Sequence, residues 1–302
     1  MKSINLRLIR RFAAHLAAAG CFLALLLTGA SASAQSIDGA VKLYESADYK
    51  GAIAELDKVL AEAKSMKEKA LARAYYYRGQ SKATLVRKNK EDRTPDMMKL
   101  TLEWAATGIQ DLELAKKNDI DEKLSGDIAA ATKKLIENSL ELADIRLQVA
   151  EEGNKSAAEK KPHYEAMKRI CEPIMTVDKF NYKAYDLSAD AQLFLGDSLN
   201  ALKNYHFADD WFFRSAPKDG DMAIAYTYIH IAQLEWALNH SYENALKAIE
   251  EGKKILDGEH KKIQSLGNRP PAEKAYLSQR HDIIMTDLNK AELDLKAASG
   301  NR

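Results

Sequence analysis

The side chains best suited to chemistry in this sequence are few and scattered. His230 and His240 fall ten residues apart on either side of an expected turn, and His260 stands in a charged run. That spacing builds no metal site, so solvated or groove-lining histidines are expected. Asp209 and Asp210 resemble a catalytic carboxylate pair, but neighbours on a helix diverge by about 100°. They should face solvent. The sequence has no H-E-x-x-H, no G-x-x-x-x-G-K-[ST] phosphate loop, no G-x-G-x-x-G after a strand, no G-x-S-x-G and no paired zinc cysteines. The expectation is a protein that is not an enzyme and takes no cofactor and no metal.

The densest aromatic stretch is Tyr205, Phe207, Trp211, Phe212 and Phe213. Its structural reading is a broad apolar stripe on a helix wedged between neighbours. Its functional alternative is an exposed patch for a partner or a sugar ring.

Composition sets the frame for these residues. Over 302 residues, apolar types make up 46%, with 14 Gly and 6 Pro, and Ala, Leu, Lys and Glu predominate. These are strong helix formers, so an almost wholly α-helical chain is expected. The N-terminus has a basic zone ending at Arg11, an apolar zone from Phe12 to Thr28 and a small-residue zone ending Ala32-Ser33-Ala34-Gln35. That layout predicts a secretory signal peptide over 1–34, cut after Ala34. The run is short for the roughly 20 residues a membrane span needs. Ala18-Ala19-Gly20-Cys21 loosely resembles a lipoprotein box, but the apolar run continues past Cys21. Arg10-Arg11-Phe12 hints at twin-arginine export without the usual flanking residues. Ordinary export to the periplasm or cell surface is expected, with no membrane span after cleavage. Of the formal charge of +1, Lys2, Arg7, Arg10 and Arg11 supply four positive charges, leaving −3 on the body. Such a balance gives no electrostatic case for nucleic acid. After cleavage only Cys171 remains, at helical spacing from apolar neighbours, which predicts a buried core thiol.

The body repeats one pattern. Asp48-Tyr49-Lys50-Gly51-Ala52-Ile53 opens an amphipathic helix after a tight turn, and Gly108-Ile109, Gly196-Asp197-Ser198-Leu199 and Ser241-Tyr242-Glu243-Asn244-Ala245 echo it. Tyr75 and Gly79, Tyr49 and Ala52, then Tyr185, Ala189, Gly196, Ala201, Tyr205 and Ala208, and finally Trp236, Tyr242 and Ala245 fall where tetratricopeptide repeats carry their large, small and aromatic positions. From about Ile37 to Leu256 the chain resembles that family of helix–turn–helix units of about 34 residues. The resemblance implies an all-α, right-handed α-solenoid of stacked hairpins over 35–302. About five units would be followed by a capping helix over 271–298. Gly79, inside a helix, predicts a close approach of two helices.

Two departures from the family pattern stand out. The charged run Arg87 to Asp96 predicts an exposed loop, with Thr94 capping and Pro95 opening the next helix. The third unit (122–178) is irregular, with a long first helix from about Asp127 to Glu152 and a polar loop from Gly153 to Lys161. Its second helix is expected from Pro162 to Val177. If the family architecture holds, function lies in a concave groove lined by the first helices. By helical position the lining would include Arg73, Tyr76, Gln80, Lys183, Asp186, Asp190, Thr227 and His230. Both charge signs with an aromatic suit an extended protein or peptide partner. The lysine-and-asparagine clamp for chain-terminal carboxylates is absent, since Ile37 and Val41 stand at its positions. The rival reading is a glycan or small-ligand binder of the cell envelope using exposed aromatics.

Overall fold

A computed structural model describes residues 36–300 except 216, 218–219 and 266–268. The expected signal peptide, its cleavage site and Cys21 lie outside the described residues. Among these residues the protein is all-helical, without strands, and each helix packs mainly on its neighbours in sequence. In order these are α1 (36–45), α2 (Tyr49–Leu60), α3 (Glu68–Asn89), α4 (Pro95–Asn118), α5 (Ser125–Glu151) and α6 (Ala157–Val177). Then follow α7 (Tyr182–Phe194), α8 (Ser198–Ser215), α9 (Ile224–Asn239), α10 (Tyr242–Ser265) and α11 (Pro271–Gly300). That is five hairpins and a last helix, as the repeat pattern predicts. No described helix is long and apolar enough to cross a membrane. Contacts gather into two compact units that divide between Ile136 and Glu137, within α5.

In the first unit the turn before α2 places Ala47 in the left-handed region (φ 65°), and Asp48 Oδ1 accepts the Gly51 N–H at 3.0 Å as N-cap. Ile37, Ala40 and Val41 of α1 close on Leu56 and Val59 of α2 and Ala74 of α3. α3 and α4 cross closely where both lack a side chain. A Cβ added to Gly79 would stand 2.8 Å from Leu112, and one on Gly108 would stand 3.2 Å from the Cβ of Lys82. The mid-helix glycine therefore has the close-approach role its position predicts.

The Arg87–Asp96 loop is shorter than expected. α3 runs on through Asn89 and α4 starts at Pro95, leaving only 90–94 between them. Arg87 and Lys88 occupy the last turn of α3, where positive charge is favoured by the helix dipole, so the charged run is largely a solvated helix end. Thr94 holds the N-cap position without capping; its hydroxyl and N–H donate to Asp92 at 2.7 and 2.9 Å.

In the second unit α6 begins five residues earlier than expected. Ser156 and Glu159 form a reciprocal capping box that fixes the start, so Pro162 falls inside the helix and the polar loop shrinks to 152–156. α6 bonds back to α5 through Tyr164 Oη and Lys160 Nζ, which donate to Glu151 at 2.6 and 2.7 Å. Cys171 is fully buried, as its spacing predicts, and burial pushes its thiol pKa up. α8 presents Ala201, Tyr205 and Ala208 inward, all fully buried, and α9 and α10 continue the core through Ile231, Leu234, Ile249 and Leu256. α11 covers that core with Ile284, Leu288 and Leu295, while its Tyr276, Ile283 and Leu293 remain exposed on its outer face.

Candidate functional site on helices α7 and α9

The eight expected lining residues divide between the units. Arg73, Tyr76 and Gln80 all lie on α3 in the first. Arg73 pairs with Asp38 of α1, and Gln80 Nε2 donates to the Tyr76 hydroxyl at 3.1 Å. In the second unit, the structure brings Lys183, Asp186, Asp190, Thr227 and His230 together.

Helical spacing explains the convergence. Lys183, Asp186 and Asp190 sit at i, i+3 and i+7 on α7, so they share a face. Thr227 and His230, three apart on α9, share the face turned toward it. Thr227 Oγ1 donates to Asp186 at 2.6 Å, and His230 Nε2 lies 3.8 Å from Asp190 Oδ1. Lys183 Nζ stands 3.4 Å from Asp221, which also accepts the Tyr182 hydroxyl at 2.9 Å.

Behind this face stands Tyr205 of α8. Its hydroxyl donates to Asp190 Oδ1 at 2.6 Å, and its ring stacks on His230 with centroids 5.2 Å apart and planes at 19°. Sequence reasoning placed Tyr205 in the aromatic stripe and at a repeat position but not in this site, and missed Tyr182 and Asp221 entirely. The i, i+4, i+8 series Tyr182, Asp186, Asp190 was the available signal. The stripe itself is mainly structural: Tyr205 and Phe212 are buried, Phe207 and Trp211 half-buried, and Phe213 exposed. Phe180 packs edge-on to Trp211, and Arg214 lies over the Trp211 ring at 4.7 Å.

Burial raises the pKa of Asp186, and the neighbouring Asp190 carboxylate raises it further. Burial also raises Asp190, while the Tyr205 hydroxyl opposes the shift. His230 is lowered by burial against the pull of Asp186. The face thus holds two carboxyls that resist ionising together beside an imidazole held neutral. It can offer hydrogen bonds and receive a positive charge.

A stability prediction follows. A carboxyl whose folded pKa exceeds its unfolded one binds its proton more tightly in the folded state, so its contribution to stability falls as pH rises through that interval. Asp186→Asn keeps an acceptor for Thr227 and removes the charge. The variant should match the parent near pH 3.5 and exceed it at pH 7.5 by roughly 1–2 kcal/mol. The substitution also removes the pull of Asp186 on His230 and its repulsion of Asp190, so the difference reports the coupled face as a whole. Calorimetric melts at the two pH values check this; a difference independent of pH would refute it.

With fold and face defined, the protein's class is that of an all-helical chain of packed hairpins. No protein-family model and no curated protein matches its sequence. Among solved structures, it is similar to a chain from work on computational design of self-assembling cyclic protein homooligomers, with 18% identity, 88% of this chain and 98% of that one covered, and a TM-score of 0.29. A circular tandem repeat protein with a novel repeat topology is 16% identical, covered over 88% of this chain and 65% of its own, with a TM-score of 0.25.

Proposed function

We propose that this chain is an exported, non-enzymatic repeat protein of tetratricopeptide type that binds a protein or peptide partner through the α7–α9 face. The observation that carries the reading is the convergence of Lys183, Asp186, Asp190 and His230, all at least partly exposed, around the buried Thr227 on two first-position helices. A partner segment bringing a cation or hydrogen-bond donors to Asp186 and Asp190 would relieve the mutual repulsion of the two carboxyls. Phe180, 60% exposed and edge-on to Trp211, and Phe213, 58% exposed against Phe212, support a second reading in which a sugar ring stacks on an exposed aromatic.

An affinity pull-down from envelope extract separates the two. The purified chain should retain a protein that an Asp190→Asn/His230→Ala variant with an unchanged helical signal loses. Retention of the same protein by both places binding elsewhere. Retention of none, with capture on a glycan array that Phe213→Ala abolishes, would replace the first reading with the second.

A further inference from the structure

Away from the α7–α9 face, a cavity of about 350 Å³ opens where α8, α9 and α10 meet. Its floor is apolar: Tyr228, Ile231 and Ala248 are all buried. Its walls carry one carboxylate from each helix, namely Asp209 of α8, Glu235 of α9 and Glu251 of α10.

Each carboxylate is anchored through one oxygen by a neighbouring side chain. Tyr228 Oη donates to Asp209 Oδ1. Asn239 and Asn244 donate to Glu235 Oε2 at 2.9 and 3.4 Å, leaving Oε1 with only His206 Nε2 nearby, at 3.5 Å. Lys254 takes Glu251 Oε1 at 2.8 Å. Three acceptors held in place above an apolar floor form a receptor for a compact cation on a short hydrocarbon stem. The volume is at the lower end of small-ligand pockets, which rules in a single side-chain-sized guest. No group of three or more His, Cys, Asp or Glu side chains among the described residues is arranged to hold a metal ion, so the three carboxylates suit a cation larger than a bare metal.

We propose that this cavity binds an alkylammonium or guanidinium group, its stem lying on Ile231 and Ala248 and its charge set among Asp209, Glu235 and Glu251. Burial raises the pKa of Asp209, and Asp210 adds to the shift, so an arriving positive charge offsets a cost the folded chain already carries. Lys247, exposed at the rim, is a cation that competes for the same acceptors. The site shares no residue with the α7–α9 face and does not depend on the reading given for it.

The group could arrive as a free diamine or as a lysine or arginine side chain. Titration calorimetry of the purified chain at low salt, with 1,5-diaminopentane and with N-acetyl-arginine amide as separate probes, tests both sources. At least one probe should bind saturably, and the tighter one identifies the source. Glu251→Gln with Asp209→Asn should weaken binding at least tenfold with a melting temperature no lower than the parent's, and Lys247→Ala should tighten it. Pentan-1-ol, which has the stem without the charge, should not bind. Heats absent for both probes, or equal in the parent and the double variant, would overturn the proposal. Glu235→Gln, which keeps acceptors for both asparagines, provides an independent variant with the same expected loss.

Discussion

Replacing Asp111 with alanine is expected to destabilise the first unit by about 3–5 kcal/mol, because it strands the buried Lys82 cation and takes from the half-buried Arg78 its two-point partner. Asp111 retains only 3% side-chain exposure and receives Arg78 through both nitrogens, Nε at 3.0 Å and Nη2 at 2.6 Å. Lys82 Nζ, on a side chain only 9% exposed, donates to Oδ2 at 2.7 Å, the oxygen that also accepts from Arg78 Nε. Arg78 also bonds Asp57 of α2 at 2.6 Å, so the network ties α2, α3 and α4 at the Gly79–Gly108 crossing. Removing the central carboxylate leaves charge in a desolvated place, and the loss is then much larger than the net worth of the intact network. Urea denaturation measures it. A cost below about 1 kcal/mol would mean the cations find water or another acceptor at once. Removing all three charges together, as Arg78→Met, Lys82→Leu and Asp111→Leu, should cost far less than the single change, since the one charge left without its partner, Asp57, is exposed to water.

Tyr205→Ala should have a comparable effect in the second unit, about 3–5 kcal/mol from the cavity left by a fully buried ring. The same change removes the donor to Asp190 and the stacking partner of His230. Tyr205→Phe isolates the polar part: it keeps the ring and should cost about 1–3 kcal/mol for the unmatched acceptor. It should also push the Asp190 pKa higher, because the hydroxyl is the group opposing the rise. Hydrogen exchange should show the alanine variant's loss of protection centred on α7, α8 and α9. A loss confined to the ends of α8 would mean the ring is not central to that core.

These two sites differ in how far the amino-acid sequence discloses them. The hairpins are legible because small residues such as Ala189, Ala201 and Ala208 must fall where helices touch, and that demand leaves a period. Asp186 and Asp190 are legible as neighbours because four residues make slightly more than one helical turn. The network around Asp111 is not. Its partners lie 29 and 33 residues away, and only the crossing of two glycine-bearing helices makes them adjacent. Tyr205 misleads in a different way, since its hydrophobic burden explains its position well enough to hide what its hydroxyl does. Charge misleads as well: Arg87 and Lys88 read as loop residues by composition yet favour a helix end by their sign. The start of α6 was written in Ser156 and Glu159, and Pro162 drew attention away from them.

The depth at which Cys171 lies has a practical consequence. With residues 1–34 removed, it is the single thiol of the chain, and burial both shields it and holds it in its unreactive protonated form. A thiol reagent therefore meets nothing to attack until the helices around Cys171 part. The rate at which a labelling signal grows then reports how often α6 and its neighbours open in the native protein. The chain carries its own stopwatch for that motion, and a cysteine introduced at an exposed position can take a probe without competition from within.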